Sequence, residues 1–480
     1  MSQRALIAAF FAGALLLGDA APAAMVQDKN AGSTFTAAEL AERAMHRRAV
    51  EAVNWGMPAV NYDLMLQAMI KTGGAPNQIV YWSKLFDWKN QTLTPNPDTI
   101  YLQPFWNMKD VGPIVLEIPP ADDGSITGTI MDCWQAALED VGPAGVDKGK
   151  GGKYLVTPPG YEGTPPDGYI VLRSMTYQGY ALLRSTPGSG SDADIAKAVA
   201  YGKRIKLYPL AQAASPSETK FVDAFNVVFD STIPYDLRFF RSLNRIVQLE
   251  PWLERDKVMI DMLKSIGIEK GKRFNPDART EETLNAAAAE AHAWLDARYD
   301  AGFPRYFESA SRWALPAIPE LVKTSATLYE TPDLYSVDAR GLVDTYAFST
   351  VKHLGVGQFY LMTAKDRDGR ALDGAKTYRL RVPANAPVKQ YWSAVVYDRT
   401  THALVRDLSR ASRSSHSSGI HKNPDGSVDV YFGPQAPAGK ESNWIPTKSG
   451  GRFEVLFRLY GPEKPLFEKT WILPDIEEVG

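Results

Sequence analysis

The sequence predicts a mainly β chain with a helical middle, and three observations carry that reading. Turn formers and pleat-favouring side chains are abundant, with 37 Gly, 33 Pro, 19 Phe, 11 Trp and 22 Tyr among 480 residues. Short apolar runs bounded by Gly and Pro recur in the first and last thirds, as antiparallel sandwiches require. Between them the apolar spacing changes to three and four, which is helical. No long-period repeat is visible, so a propeller or solenoid is not expected.

The elements follow in order. Arg4 precedes an apolar run, 5–17, whose one interruption is a glycine, and Ala21-Pro22-Ala23 offers the small side chains that signal peptidase accepts. This predicts a signal peptide over 1–23, cleaved on export to the periplasm or beyond. The run is shorter than the roughly 20 apolar residues needed to cross a bilayer, so no stable membrane insertion is expected after cleavage. An N-terminal β-sandwich domain, 37–190, begins with a helical approach from Ala37 to about Thr72, in which Val50, Val53, Met57 and Leu64 recur at helical spacing. Strands are then expected at 113–118, 125–134, 153–156, 169–173 and 180–185.

A helical region is expected over 191–333. Ala196, Ala200, Lys203 and Leu207 mark one helix, Phe239, Leu243, Ile246 and Val247 another, and the alanine-rich 284–299 a third. Pro234 and Pro251 interrupt it, and Asn275-Pro276-Asp277 reads as a stop and a fresh start. From 334 to 480 the pattern alternates. Over 376–383, Tyr378, Leu380 and Val382 face one way while Thr377, Arg379 and Arg381 face the other. Runs 391–397, 428–432 and 453–459 repeat this, with Asn423-Pro424-Asp425-Gly426 as a hairpin turn. A larger, jelly-roll-like sandwich is the expected result.

Composition narrows the function. Lys and Arg number 53 against 55 Asp and Glu, and no basic run offers the phosphate-neutralising footprint of a nucleic-acid binder. One cysteine, Cys133, cannot form an internal disulfide, so the fold must rest on core packing.

Two strings of polar residues between apolar strands draw attention, Asn96-Pro97-Asp98-Thr99-Ile100-Tyr101 and Asn443-Trp444-Ile445-Pro446. The structural reading of the first is an Asx-type turn; the functional one makes Asp98 a general base or polar anchor beside Tyr101. Asp132 shares strand parity with Ile126, Ile130 and Trp134, which puts a carboxylate near a buried edge. An unpaired buried charge is costly, so pairing with Arg184, on the strand carrying Tyr180 and Leu182, is expected. That pair is either structural or part of a site, with the Arg184 fork suited to a substrate carboxylate. Trp392, Ser393, Asn443 and Trp444 could line an aromatic cleft, against the plainer reading of core packing. Arg458 and Tyr460 take the parity opposite Phe453, Val455 and Phe457, which places them in solvent or at an interface.

Metal and cofactor signatures are weak. The histidines are scattered, and His416 and His421 sit in or just past the serine-rich stretch 409–418 without acidic company, as in a mobile loop. Asp366-Arg367-Asp368-Gly369 begins like a calcium loop, but Arg370, Ala371 and Thr377 occupy positions where ligands or the glycine should stand. The stretch 145–151 falls one residue short of a phosphate loop, and no Gly-x-Ser-x-Gly elbow is present.

A resemblance then emerges. Thr94 to Tyr101, Pro113 to Pro119, Asp132-Cys133-Trp134 and Tyr154 to Gly160 resemble the bacterial domain of unknown function 1254. Asp366 to Gly369, Leu372-Asp373-Gly374, Tyr391-Trp392-Ser393, Asp425-Gly426-Ser427 and Asn443 to Pro446 resemble its companion, domain of unknown function 1214. The resemblance implies an immunoglobulin-like sandwich, a helical region and a jelly-roll-like sandwich in an often exported protein, and no particular reaction.

Two functions are carried forward. In one, the chain is a hydrolase or lyase in which Asp98, Tyr101, Asp132 and Arg184 act on a small or oligomeric organic substrate held by Asn96, Thr99, Trp134, Trp392, Ser393, Asn443 and Trp444. In the other it is a non-catalytic binder of a small molecule or carbohydrate, clasped between domains. No cofactor and no metal are expected in either, and assembly into a homo-oligomer is left open.

Overall fold

The computed structural model describes residues 35–301, 303–348, 351–353 and 357–479. The expected signal peptide lies outside them. The described residues fall into two units, 35–42 and 43–479. Within the first segment a capping box opens the helix Ala37–Lys71: Thr36 Oγ1 accepts from the Glu39 N–H at 3.2 Å, and Glu39 Oε2 accepts from the Thr36 N–H at 2.6 Å.

In the larger unit the fold is mainly β with a helical middle. The N-terminal sandwich pairs a six-stranded sheet, in the order Phe221–Asp223, Gln78–Tyr81, Ile100–Asn107, Gln178–Ser185, Ile126–Asp132, Ala137–Val141, with a four-stranded one, Lys206–Pro209, Ile114–Ile118, Gly152–Thr157, Ile170–Arg173. Side chains of alternate parity, Ile100, Leu102, Ile126, Ile130, Ala181 and Leu183, meet Ile114, Leu116, Tyr154 and Val156 between the sheets. The expectation of one helix from Ala196 to Leu207 is corrected here. The helix is Asp192–Gly202, and Leu207 belongs to a strand paired with Ile114–Ile118, because residues after Gly202 alternate Ile205 and Leu207 inward.

The other face of the six-stranded sheet is not solvated. Phe105, Met131, Tyr180 and Leu182 pack on Val53, Met57, Tyr62 and Met69 of the long helix, and on the helices Leu237–Leu249 and Ala278–Ala301. A sheet covered on both faces explains why Ile100–Asn107 is buried almost throughout rather than alternating. Asp277 begins the last of those helices by accepting from the Thr280 N–H at 2.8 Å. Helices continue past residue 333, through Pro319–Ala326 to Val337–Asp344, so the first C-terminal strand starts later, at Gln358–Thr363.

The C-terminal sandwich stacks two four-stranded sheets. One runs Gln358–Thr363, Phe453–Tyr460, Trp392–Asp398, Ser412–Ser414; the other Trp444–Pro446, Val428–Gly433, Tyr378–Val382, Glu477–Glu478. Leu380, Val396, Val430, Val455 and Phe457 fill the space between them. Asn423 to Gly426 does turn, with the Gly426 N–H bonded to Asn423 O at 2.9 Å, but it leads into Val428–Gly433 from an irregular segment rather than closing a hairpin. No helix among the described residues is long and apolar enough to cross a membrane.

Candidate functional site

The turn at 94–98 is built locally and then tied to the far half of the chain. Pro95 and Pro97 restrict the backbone, and Asn96 Oδ1 accepts from the Asp98 N–H at 3.0 Å, the expected Asx geometry. The same Asn96, fully buried, donates from Nδ2 to Tyr391 Oη at 2.9 Å and Tyr460 Oη at 2.7 Å. Its N–H donates to Tyr101 Oη at 3.1 Å. Three more bonds come from the C-terminal sandwich. Tyr397 Oη donates to Pro95 O at 2.6 Å, Arg458 Nη2 to Thr94 O at 2.8 Å, and the Thr94 N–H to His402 O at 2.7 Å.

Strand register explains what the turn meets. Tyr360, Arg458, Ser393 and Ser414 lie opposite one another across four neighbouring strands, and directly paired residues share a face. Two positions along, Met362, Leu456, Val395 and Ser412 make the next row. Asp98 rests on this face. Ser412 Oγ donates to Asp98 Oδ1 at 3.1 Å, while Asp98 Oδ2 and Ser393 Oγ are sealed from solvent without a hydrogen bond. Burial pushes the Asp98 carboxyl up to about 6; Ser412, the Arg458 charge, Ser393 and Ser414 pull it back only in part. Asp98 lines a cleft of about 390 Å³ together with Phe86, Tyr391, Ser412, Ser414 and His416. The His416 ring lies 5.1 Å from that of Tyr391, and burial lowers its pKa, which favours the neutral imidazole.

Tyr101 and Arg184 face each other across paired strands on the opposite side of the turn. Arg184 Nε donates to Tyr101 Oη at 2.9 Å, and its guanidinium lies 4.9 Å from that ring. The expected Asp132–Arg184 pair does not form. Arg184 pairs in register with Thr127, five residues from Asp132 and of the other parity, so the two side chains leave opposite faces of the sheet. Asp132 instead closes its own turn, accepting at Oδ1 from the Trp134 and Ala136 N–H groups, both at 2.9 Å. Burial raises its pKa, and the charges of Arg255 and Arg340 work against that rise.

Trp392, Ser393, Asn443 and Trp444 do not line one aromatic cleft; for Trp392 the plainer reading, core packing, is the one the structure shows, and Trp134 lies elsewhere. Trp134 packs against Trp55 with centroids 4.7 Å apart. Trp392 points into the sandwich and stacks on Phe457 at 5.5 Å, being of opposite parity to Ser393. Asn443 fastens a loop, donating to His421 O and Asp429 O at 2.8 and 2.9 Å, and Trp444 Nε1 donates to Gly433 O at 2.9 Å. Thr99 is fully buried with Oγ1 unbonded. The turn therefore gathers Asn96, Asp98, Tyr101, Arg184 and Ser393, and leaves the other candidates elsewhere.

Sequence reasoning passed over Ser412, Ser414 and His416. The supposed mobile loop is an edge strand, Ser412–Ser414, followed by a turn, and the alternating serines were its legible sign. Arg458 and Tyr460 do take the parity opposite the core, but the N-terminal turn covers them, leaving each 2% exposed. Asp366 Oδ1 accepts from the Asp368 and Arg370 N–H groups, which makes that stretch a turn. Among the described residues no group of three or more His, Cys, Asp or Glu side chains is placed to hold a metal ion.

Comparison with known proteins fits this architecture. The chain is similar to the crystal structure of the VPA0106 protein from Vibrio parahaemolyticus, with a TM-score of 0.56 at 17% identity, covering 91% of this chain and all of that one. A putative uncharacterized protein from Burkholderia cenocepacia aligns over 92% of this chain and 94% of its own, with a TM-score of 0.41 at 11% identity. No curated protein matches the sequence. Residues 76–209 match the protein of unknown function DUF1254, which takes in the Asp98 turn, and 357–464 match the protein of unknown function DUF1214, which takes in the serines and tyrosines that meet it. The chain thus belongs to the family in which a DUF1254 domain is followed by a DUF1214 domain, and its candidate site is built where the two meet.

Proposed function

We propose that the protein is an exported hydrolase or lyase in which Asp98 moves the proton. The observation that carries this reading is a carboxyl at a cleft wall with one oxygen unbonded and a pKa raised to about 6. Such a group exchanges protons near neutrality, where an ordinary aspartate is a poor base. Ser412 orients the carboxylate through Oδ1; the second oxygen is buried behind the cleft wall, so to take a proton from water or a substrate hydroxyl the carboxyl turns or the wall opens on binding. The proton taken up by Asp98 is returned from Asp98 itself, and His416, favoured neutral on the same wall, suits a second acceptor rather than a donor. Asp132 has no part, since its oxygen is spent on its own turn.

The test is turnover of ester, lactone and glycoside panels by wild type and Asp98→Asn. Wild type should show a kcat/KM inflection near 6, and Asp98→Asn should lose at least about a hundredfold while its melting temperature holds. Undiminished turnover in Asp98→Asn would remove this residue from the reaction.

A second reading is non-catalytic binding of a small molecule or carbohydrate in the same cleft. Its support is the wall itself, where serine hydroxyls alternate with the rings of Phe86 and Tyr391. A thermal-shift screen with sugars and sugar acids should then find a saturable stabiliser that is not consumed.

A further inference from the structure

The 94–98 turn is a partition. Pro97 and Asp98 line the cleft on one side, whereas Thr94 and Pro95 line a separate cavity of about 70 Å³ on the other. That cavity is walled by donors. Arg458, 2% exposed, keeps Nε and Nη1 without any hydrogen bond. Arg184 uses Nε on Tyr101, and neither arginine has a carboxylate within ion-pairing distance among the described residues, the Asp98 carboxylate acting on Arg458 only from further off. Tyr101 Oη already accepts from Asn96 and Arg184, and no acceptor among the described residues takes its proton. No Asp or Glu lines the space.

Two guanidinium groups cannot shed their protons, and their remaining company is the faces of Tyr101, Tyr360 and Tyr397 at 4.9–5.5 Å. With Arg458 buried, Arg184 half-buried and no carboxylate in direct contact with either, the cavity is complementary to an anion. The forked donors suit the planar, two-oxygen head of a carboxylate. Next to this space, sharing the walls Pro316, Ala347, Phe348 and Tyr360, lies a chamber of about 290 Å³ lined by Leu321, Val322, Val343 and Phe359. It is apolar apart from Gln358 and the Tyr360 hydroxyl. Together the two spaces reach the lower end of the ~300–1,000 Å³ typical of ligand sites.

We infer that this pair of spaces binds an organic acid with an apolar chain, its carboxylate on Arg184, Arg458 and Tyr101 and its chain in the chamber beneath Phe348. The site lies across the turn from the Asp98 cleft and stands apart from the proposed proton chemistry.

The test is calorimetric binding of straight-chain alkanoates, from butyrate to decanoate, to the purified protein, with decanol and decylamine as controls. Affinity should rise roughly fourfold per methylene until the chamber is full. Decanol should bind at least about tenfold more weakly than decanoate, and decylamine should not bind. Arg184→Gln should weaken decanoate at least about tenfold. Ile318→Trp, at a half-buried chamber wall, should abolish the chain-length dependence while leaving butyrate unchanged, and it serves if the arginine variant does not fold. Asp98→Asn, which removes a negative charge acting on Arg458, should bind decanoate at least as tightly as wild type, so a failure of the proton chemistry is told apart from a failure of this site. Equal affinity for decanol and decanoate, or an unaltered chain-length series in Ile318→Trp, would overturn the inference.

Discussion

Asp98 and Asp132 are both carboxylates at turns beside strands of one six-stranded sheet, and burial raises the pKa of each, yet their surroundings point to different work. Asp132 is closed. Its Oδ1 takes two backbone N–H groups, and the charges of Arg255 and Arg340 stand over it. Asp98 is held by side chains instead: Ser412 donates to Oδ1, Ser393 and Ser414 help to pull the carboxyl down, Oδ2 is buried without a close partner, and a cleft lies beside it. A buried, shifted carboxyl is therefore not by itself a sign of catalysis; what matters is whether its bonds are already spent.

The largest effect that could break this contrast is on stability. Asp132→Ala orphans two backbone donors and removes the carboxylate facing the buried Arg340 and the half-buried Arg255, so urea unfolding should show a loss of about 3–5 kcal/mol. Asp98→Asn should leave stability at pH 7 unchanged or higher, because it deletes a charge that the site disfavours. Equal losses in both would erase the distinction. Next comes Asn96→Ala, which strips the buried phenols of Tyr391 and Tyr460 of a donor and frees the turn. We expect about 3 kcal/mol from denaturant unfolding, with Asp98 titrating closer to an ordinary aspartate.

The pH dependence is smaller and its sign is fixed. The folded pKa of about 6 lies above the 3.8 of an unfolded aspartate, so between these values the native state binds more protons. The Asp98 contribution is thus fully present below about pH 4 and is lost as pH rises through 6. Comparing wild type with Asp98→Asn across that window should isolate roughly 3 kcal/mol. Smallest is Ser412→Ala, which removes the strongest influence holding the carboxyl down. It should raise the Asp98 pKa by less than about one unit, read by NMR, and cost under about 1 kcal/mol.

Much of the fold was legible because its strands carry local patterns. Tyr378–Val382 alternates inward and outward as its residues require, and Gln178–Ser185, Gly152–Thr157 and Phe453–Tyr460 fall within a few residues of their expected places. Of the site, the Asx turn and the polar crowding around Asp98 could be read directly. The Asp132–Arg184 pair could not be excluded from sequence, because parity within one strand says nothing of which face it shares with a neighbour until register is known. The aromatic cleft failed for a related reason: Trp392 and Ser393 adjoin in sequence and so face opposite ways.

The sequence by itself determined the strands with a clear alternating or apolar run, the helical middle, the family and the turn at Asn96 to Asp98, since each depends on near neighbours, turn chemistry or motif order. Only the tertiary structure decided that Arg458, Tyr460, Tyr391 and Ser412 close over that turn. They lie some 300 residues or more beyond it, and their convergence is set by strand register and by the packing of one sandwich on another, which no local pattern encodes.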